Sequence, residues 1–310
     1  MANFTVDRIG QIAGAGVTDA LFLKQFGGEI MGIFQNQMVG IDRHTVRNIS
    51  SGKTAQFPAY GRVTAAYHTP GTELVGQTMQ HAERTISVDD FLVADLSLSQ
   101  IDDLMNHYDV RGPYAEELAY SLANAADANV LQVALLAARA SATVTGGAAG
   151  KVITSATANS SASALITALY TIAQTFDENN LPAEGRQVFI KPAQWSLLAQ
   201  SSTLYVNQNS ATPGDVAKGT PTPMVAGIEL VKTNNVPSTN VTTGPTAYRG
   251  NFSTSVVVAT HKSALGTVKL LDLTPEITWQ ARYLVWLITA RFAMGHGILR
   301  PESAAEVKTS

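Results

Sequence analysis

The chain contains no cysteine among its 310 residues. Without thiols it can form no disulfide framework, no cysteine-ligated zinc site, no iron–sulfur cluster and no thiol-based catalytic centre. Charged residues are also scarce, because Asp, Glu, Lys and Arg make up 15% of the chain, against about 25% in an average globular protein. Much of the surface must therefore be neutral, and neutral surface is easily desolvated against another subunit. This composition favours a protein that assembles.

The chain also lacks an excess of positive charge and any long apolar run. Its formal net charge is −3 and its sequence pI is about 6.1, so specific nucleic-acid binding is not expected. The longest apolar stretches, Val133 to Ala138 and Tyr283 to Ala290, are far shorter than the roughly 20 residues of a membrane span. The N-terminal residues carry charges at Asp7 and Arg8 with no apolar run behind them. We therefore expect a soluble protein without a secretory signal.

The octapeptide SSGKTAQF contains Gly52-Lys53-Thr54, which has the form of the end of a phosphate-binding loop. The complete motif requires a glycine five positions before Gly52, and this chain has Arg47 there. The motif also requires a helix that starts at the lysine, whereas Pro58 disfavours helical geometry at the residue before it. We therefore predict a polar turn between two extended segments, with Lys53 exposed, rather than a nucleotide site.

Other chemical motifs are missing as well. None of the six histidines forms an i, i+4 pair with another, which excludes the usual helical zinc spacing. His107 and His296 are predicted to be local hydrogen-bonding residues. The adjacent carboxylates Asp89-Asp90 and Asp102-Asp103 point in different directions on a strand or helix, so neither pair is an acid/base pair by itself. No serine lies in a G-x-S-x-G elbow. The sequence predicts no catalytic residue, no cofactor site and no metal site.

Apolar residues that recur every three or four positions predict several helices. They cover residues 18–38, 99–108 and 162–177, together with a short segment opened by Pro192. The longest helix begins near Pro113, spans about 40 Å and ends near Arg139. Its buried stripe is predicted to consist of Leu118, Leu122, Ala126, Val130, Val133 and Ala137.

Residues 58–90 have a different character. Polar residues dominate this segment, and Thr69-Pro70-Gly71 is a turn signal near its middle. The pattern predicts a long, two-armed excursion with little to bury. Because an isolated hairpin is marginally stable in water, we expect a partner to hold it.

Strands are predicted in the rest of the chain from β-branched and alternating residues. They lie at 188–190, around 225–231, and at 253–259 and 267–273. The alternation of apolar and polar residues shifts by one position after Arg282, which predicts a bulge or turn near 282–286. In the shifted register, the residues expected to be buried are Leu284, Trp286, Ile288, Phe292 and Met294. Residues 141–161 consist mainly of Gly, Ala, Ser and Thr, and they are predicted to be a flexible connection. The alternation of strands and helices between 162 and 232 predicts a compact α/β unit.

Five stretches together resemble one family, the major capsid proteins of T-seven-like short-tailed bacteriophages (podoviruses). They are LFLKQFGGEI (21–30), RHTVRNISSGKTAQFPAYGR (43–62), LMNHYDVR (104–111), HKSALGTVKL (261–270) and AMGHGILRPE (293–302). The matches follow one another in order along nearly the whole chain, and the part from 141 to 260 is assigned by order alone.

The resemblance implies a mixed α+β fold of the Hong Kong 97 type. In this fold, residues 1–57 would form an N-terminal arm, 58–90 an extended loop, 91–140 with 260–310 a peripheral domain, and 141–259 an axial α/β domain. The long helix would be the spine of the peripheral domain. The octapeptide SSGKTAQF would then join the arm to the loop.

The function implied by the resemblance is structural. Many copies would form pentamers and hexamers and close an icosahedral shell around double-stranded DNA, without sequence-specific binding to it and without a membrane. A scaffolding protein and a portal would be partners during assembly in the bacterial host cytoplasm. The candidate residues for contacts between subunits are Lys53, Phe57, Tyr60, Arg62, Tyr67, Pro70, Gly71 and Arg84.

Three alternatives remain at this point. An encapsulin-type compartment would share the fold and hold cargo enzymes instead of a genome. A metabolic enzyme is disfavoured because no catalytic spacing is present. A tail or decoration protein is disfavoured by the long helix and the extended loop.

Overall fold

Four helices and fourteen strands occur in the computed structural model, which describes residues 39–105, 111–201 and 224–310. The helices are α1 (Gln100–Met105), α2 (Arg111–Arg139), α3 (Ala162–Glu178) and α4 (Pro192–Ala199). The strands are β1 (Thr45–Asn48), β2 (Thr54–Tyr60), β3 (His81–Ser87), β4 (Leu92–Ser99), β5 (Lys151–Thr154), β6 (Arg186–Ile190), β7 (Met224–Val225), β8 (Ile228–Lys232), β9 (Asn240–Val241), β10 (Gly250–Asn251), β11 (Ser255–His261), β12 (Leu265–Gln280), β13 (Val285–Ile298) and β14 (Ala304–Lys308). Short 3-10 helices occupy Ile41–Arg43, Thr246–Tyr248 and Pro301–Ser303. The predicted helix at 18–38 and the predicted role of His107 lie outside the described residues.

The chain divides into two compact units. Among the described residues, the first unit contains 90–105, 111–126 and 270–294. The second contains 39–89, 127–201, 224–269 and 295–310. Strands β12 and β13 and helix α2 each contribute residues to both units, so neither unit is a continuous piece of sequence.

The first unit contains most of a hairpin made by β12 and β13. Residues Val285–Phe292 of β13 pair antiparallel with Leu92–Ser99 of β4. In the turn between β12 and β13, the amide of Tyr283 donates to the carbonyl of Gln280 at 3.1 Å, and Leu284 has a φ of 54°. The turn predicted near 282–286 is thus confirmed. The buried register predicted beyond it is wrong at Leu284, which is 60% exposed, because this residue belongs to the turn and the next residue is the buried one.

The second unit is built around a six-stranded mixed sheet with the strand order β5-β14-β11-β6-β8-β7. Strands β6 and β8 are parallel, and β11 is antiparallel to both β6 and β14. The apolar stripe of α3 shares one core with this sheet. Its members include Leu165, Leu169, Ile172 and Phe176 from the helix and Val188, Ile190 and Val257 from the strands. The α/β unit and helix 162–177 predicted from periodicity are confirmed.

Helix α3 ends where the sequence predicted a stop. Asn180 follows the C-cap residue with a φ of 56°, a left-handed conformation that asparagine tolerates better than most residues. The amide of Leu181 then donates to the carbonyl of Phe176 at 3.0 Å. This bond is the one that closes a Schellman motif, and it satisfies a carbonyl that the helix leaves without a partner.

The prediction of a flexible connection over 141–161 is wrong for its second half. Residues Lys151–Thr154 form β5, which pairs parallel with β14, and Ala158 is fully buried. Val152, Ile153 and Thr154 are β-branched residues that favour a strand, but the pairing partner lies about half the chain away and the Gly- and Ser-rich flanks concealed this short run. The strand predicted around 225–231 is confirmed from Ile228 onward as β8. Its start is wrong, because Ala226 and Gly227 have positive φ angles of 53° and 75° and reverse the chain between β7 and β8 in a tight hairpin.

Helix α2 confirms the predicted spine helix, and it starts two residues before Pro113. The predicted stripe is buried at five of its six positions, and Leu118 is half-buried. Toward the C-terminal end, Leu131, Ala134, Leu135 and Ala138 are buried as well. This part of the helix is enclosed on all sides, which a single apolar stripe did not predict.

Candidate subunit-contact surface

The predicted two-armed excursion is a hairpin with a long unpaired end. Strands β2 and β3 pair antiparallel from Thr54↔Ser87 to Tyr60↔His81. The paired part therefore begins four residues before the predicted boundary at 58. Beyond it, the amide of Gly61 donates to the carbonyl of Gln80 at 2.8 Å. Residues 62–80 then extend without regular pairing, and we call them the distal loop.

The distal loop reverses at the predicted turn. The amide of Thr72 donates to the carbonyl of Thr69 at 3.2 Å, and Gly71 has a φ of 89°. Proline at the second position and a positive φ at the third are the signature of a type II turn. The same bond is reinforced by the Thr72 hydroxyl, which donates to the Thr69 carbonyl at 2.7 Å. The turn signal at Thr69-Pro70-Gly71 is confirmed.

Every residue of the distal loop is exposed. Several of its side chains are large and apolar: Val63 is 56%, Leu74 80%, Val75 83% and Tyr67 105% exposed. Apart from the bond between Gly61 and Gln80 at its base, Arg62 Nη2 donates to the carbonyl of Asn179 at 3.1 Å. The loop thus buries almost none of its apolar surface in its own chain.

The base of the hairpin is held firmly. The amide of Val88 donates to the carbonyl of Lys53 at 2.7 Å, and β13 passes directly over the end of β3. A Cβ atom at Gly295 would lie 2.0 Å from the carbonyl oxygen of Ser87, so only glycine permits this close approach of two backbones. The base of the hairpin is thus packed closely against β13, whereas the distal loop is exposed.

The structure brings some of the candidate contact residues together and separates others. Phe57 and Arg84 are cross-strand partners, and both line a cavity of about 340 Å³ beside the hairpin. Tyr60 and Arg62 line a second cavity of about 550 Å³. The other candidates line neither cavity: Lys53 lies at the hairpin base, and Tyr67, Pro70 and Gly71 lie in the distal loop.

The candidates at the hairpin make identifiable contacts. The Arg47 guanidinium lies 5.8 Å from the centre of the Phe57 ring, and the Tyr60 and His81 rings meet edge to face at 5.4 Å. Arg84 donates to Thr143 Oγ1 through Nε and Nη2 at 3.4 and 3.3 Å. These contacts orient the side chains and leave much of their surface accessible.

Lys53 is exposed, as predicted. Gly52 has a φ of 97°, and strand β2 rather than a helix begins at Thr54. No helix N-terminus is therefore present to bind a phosphate at this place. The prediction of a turn between two extended segments is confirmed.

Below the hairpin base, buried polar groups form a continuous chain of hydrogen bonds. The Tyr248 hydroxyl donates to the Asp89 carboxylate and accepts from the amide of His296 at 3.1 Å. Burial, followed by the hydrogen bond to Asp89 and the negative charge of that carboxylate, raises the pKa of the Tyr248 phenol well above its usual value. The phenol therefore remains a donor and ties Asp89, two residues beyond β3, to strand β13.

The chain of hydrogen bonds continues through two histidines. Gly40 carbonyl accepts from His44 Nδ1 at 2.7 Å, which leaves His44 Nε2 to accept from the Thr267 hydroxyl at 2.5 Å. Thr267 Oγ1 in turn accepts from His296 Nδ1 at 2.8 Å. Burial, with smaller contributions from His44 and Lys269, lowers the pKa of His296 to about 3. The role predicted for His296 as a hydrogen-bonding residue is confirmed.

A carboxylate on the spine helix ends this chain. Asp127 is fully buried and accepts from the amide of Gly40 at 2.6 Å and from Asn235 Nδ2 at 2.9 Å. Burial raises the pKa of Asp127, and these hydrogen bonds oppose the shift. Side chains that lie far apart in sequence thus connect α2 to the base of the hairpin, and only proximity in the fold could identify them.

Arg300 is a site residue that the sequence did not indicate. It lines both cavities, as does Ala59. Its position follows from the packing of the segment after β13 against the hairpin. It lies in the stretch AMGHGILRPE (293–302), which carried the resemblance but indicated no role for this side chain.

Within the described ranges, no cluster of three or more His, Asp or Glu side chains could hold a metal ion. No helix there is long and apolar enough to cross a membrane.

Comparison with known proteins gives one consistent result. Residues 56–308 match the model of a family described as Gp10A-like, major capsid protein. The chain is 37% identical to the major capsid protein of Escherichia phage T7 over 96% of this chain and 94% of that protein. It is 36% identical to the major capsid protein of Enterobacteria phage T3 over 93% of this chain and 91% of that protein. Among solved structures, it resembles the capsid of the cyanophage P-SCSP1u with a TM-score of 0.83 and 37% identity, covering 100% of this chain and 99% of that one.

Proposed function

This chain belongs to the Gp10A-like family of major capsid proteins, and from that premise we propose how its hairpin builds the shell. It is the major capsid protein of a tailed bacteriophage, a structural component of the virion with the Hong Kong 97-type fold. The relatives and solved neighbours are capsid proteins of phages, and they do not favour the encapsulin-type alternative.

We propose that the subunits form pentamers and hexamers that close an icosahedral shell around double-stranded DNA. The DNA is enclosed without sequence-specific contacts, because the chain has a net charge of −3. A scaffolding protein and a portal take part in assembly, which occurs in the cytoplasm of the bacterial host. Closed symmetry repeats each contact at every subunit, so a contact that is weak alone still stabilises the shell.

The four-region division into arm (1–57), extended loop (58–90), peripheral domain (91–140 and 260–310) and axial domain (141–259) remains part of this proposal. Strand β14 lies inside the range proposed as peripheral, yet it pairs with β11 and β5 in the six-stranded sheet. The last residues of the described chain are therefore better grouped with the axial domain.

The observation that carries the proposal is the exposure of the distal loop. Its apolar side chains, above all Leu74 and Val75, are 80% and 83% exposed. Complete burial of an aliphatic side chain of this size stabilises by roughly 1.5–3 kcal/mol. Contacts with a neighbouring subunit would recover this stabilisation, and the type II turn and the packed hairpin base present the loop away from its own core.

The test replaces residues 63–78 by a short Gly/Ser link and leaves the paired strands intact. We expect the variant to fold, because the loop buries little in its own chain and loop shortening changes closure entropy by only about 0.6 kcal/mol per halving. Circular dichroism and a cooperative melt should be close to wild type. With the scaffolding protein present, the variant should sediment as monomers or small oligomers where the wild type forms shells.

A second variant keeps the loop length and the turn but changes Leu74 and Val75 to serine. If apolar contacts drive the association, this variant should also fail to assemble. Normal shells from the shortened variant would contradict the proposed role of the loop, and an unfolded product would place the loop in the core.

A further inference from the structure

The smaller cavity beside the hairpin has a distinctive chemistry. Phe57, Pro58, Ala59 and Leu299 supply apolar walls, and Arg84 and Arg300 supply two cations. Its remaining lining residues, Thr45 and Ser263, are neutral, so no carboxylate lines this cavity. We call it the arginine groove. It suits a segment that presents an apolar side chain next to a negative charge.

Neither cation of the arginine groove has a carboxylate partner among the described residues. Arg84 donates only to the neutral hydroxyl of Thr143, through contacts of 3.3 and 3.4 Å. Arg300 is exposed, and its guanidinium makes no hydrogen bond or ion pair with the described chain. An arginine pair that lacks a carboxylate leaves room for an external one, which a guanidinium can bind through two parallel hydrogen bonds.

The chain itself carries a segment with matching chemistry. Glu73 is the one carboxylate between residues 61 and 80, and it is exposed in the distal loop. Leu74 follows it directly and is 80% exposed. A charged side chain and an aliphatic one are thus adjacent in the most exposed part of the hairpin.

This segment does not occupy the groove of its own chain. The groove is lined by the paired part of the hairpin at Phe57–Ala59, and the distal loop extends away from it beyond Gly61. None of the residues 60–80 lines the cavity. A segment from a second copy can enter it, whereas the chain's own loop leaves it open.

We propose that Glu73 and Leu74 of one subunit dock in the arginine groove of a second copy of this chain. Leu74 contacts the apolar walls, and the Glu73 carboxylate pairs with Arg300 and Arg84. This inference rests on the proposed function, and it assigns the partner surface of the distal loop. The larger neighbouring cavity is a poorer acceptor, because Glu178 and Glu302 line it together with Arg62 and Arg300 and offset their positive charge.

The absence of native cysteine provides a clean experiment. Ser263 lines the groove, and a Ser263→Cys variant carries a single thiol that can be labelled with benzophenone maleimide. After assembly with the scaffolding protein and illumination, we expect a product at twice the mass of the chain. Digestion with trypsin should show the label attached to the peptide Val63–Arg84, which contains Glu73.

The alternative occupants give different products. Attachment to a peptide from residues 1–38 would show that another part of the chain fills the groove and would overturn the proposal. A crosslink within one chain to the distal loop, or none in assembled shells, would overturn it as well.

Charge reversal provides an independent test. Glu73→Lys and Arg300→Glu should each reduce the yield of shells at least tenfold, and the double variant should recover a large part of the yield. Glu83→Lys is the matched control, because Glu83 is an exposed carboxylate on the same hairpin that lines neither cavity. It should leave the yield unchanged.

These outcomes separate the inference from the proposed function. If shells are lost on loop replacement but the double reversal gives no recovery, the loop has a role and the arginine groove is the wrong partner. If shells survive loop replacement, both proposals fail together.

Discussion

Replacing Arg139 with methionine should destabilise the folded subunit strongly, because it leaves a buried carboxylate without its cation. The Glu306 side chain is completely buried. It accepts from Arg139 Nε and Nη2, both at 2.6 Å, and from the Ser255 hydroxyl at 2.5 Å. In the Arg139→Met variant only the serine contact remains.

The magnitude follows from the cost of burying an ion. Removal of one partner from a buried pair typically costs about 3–5 kcal/mol, since the remaining charge has lost its hydration without a compensating partner. Arg139 also donates to the carbonyl of Asn251 at 2.7 Å, and its guanidinium lies 5.3 Å from the centre of the Phe252 ring. Methionine retains part of the packing on that ring but none of the hydrogen bonds. We therefore expect a loss near the upper part of this range.

The double variant Arg139→Met, Glu306→Met separates the charge effect from packing. It removes both ions, so no buried charge remains, and such replacements are often neutral or stabilising. We expect its free energy of unfolding to be within about 1 kcal/mol of the wild-type value, or higher. Urea unfolding of the unassembled subunit, followed by far-UV circular dichroism, measures all three proteins. If the free energy of unfolding of Arg139→Met is within about 1 kcal/mol of the wild-type value, the reasoning is refuted, because an unpaired buried carboxylate should lower it by more.

Two further predictions concern the spine helix and the buried histidine. Leu122 is 3% exposed, so Leu122→Asp should lower the free energy of unfolding by several kcal/mol and reduce the yield of soluble protein. The control is Ser121→Asp, which should have little effect because Ser121 is exposed. Equal melting temperatures of the two variants would show that the helical register is wrong. The folded pKa of His296 is about 3, against roughly 6.5 in the unfolded chain, so the unfolded state binds the proton first as the pH falls. The stabilisation is complete above about pH 6.5 and is lost toward pH 3, with a slope of at most about 1.4 kcal/mol per pH unit. Thermal melts of wild type and His296→Gln as a function of pH measure this contribution. The raised pKa of Asp127 contributes with the opposite sign, but equally in both proteins, so it cancels in the comparison. Identical pH dependence of the two melts would contradict the burial of a neutral imidazole.

Local patterns in the sequence were sufficient for several elements. The stripe and stop signals of α3 predicted its bounds to within one residue, because a helix satisfies its hydrogen bonds within its own segment. The turn at Pro70-Gly71 followed from residue chemistry alone, since proline and glycine impose the φ angles of that turn. The polar character of 58–90 likewise predicted a hairpin with little to bury. The family was recognisable from five ordered stretches, and the comparisons confirm it.

Other features depend on residues that meet only in the folded chain. Strand β5 is only four residues long and lies among Gly-, Ala- and Ser-rich segments, and it is a strand because β14 supplies the partner for its backbone groups. The hydrogen-bond chain from Asp127 to Asp89 joins segments from both ends and the middle of the sequence. The arginine groove likewise combines Arg84 with Arg300. The sequence by itself determined the family, helices α2 and α3 and the turn at Pro70-Gly71, whose hydrogen bonds are local. Only the tertiary structure decided the sheet order, the buried polar chain and the groove, because backbone pairing and burial between distant segments have no local signature.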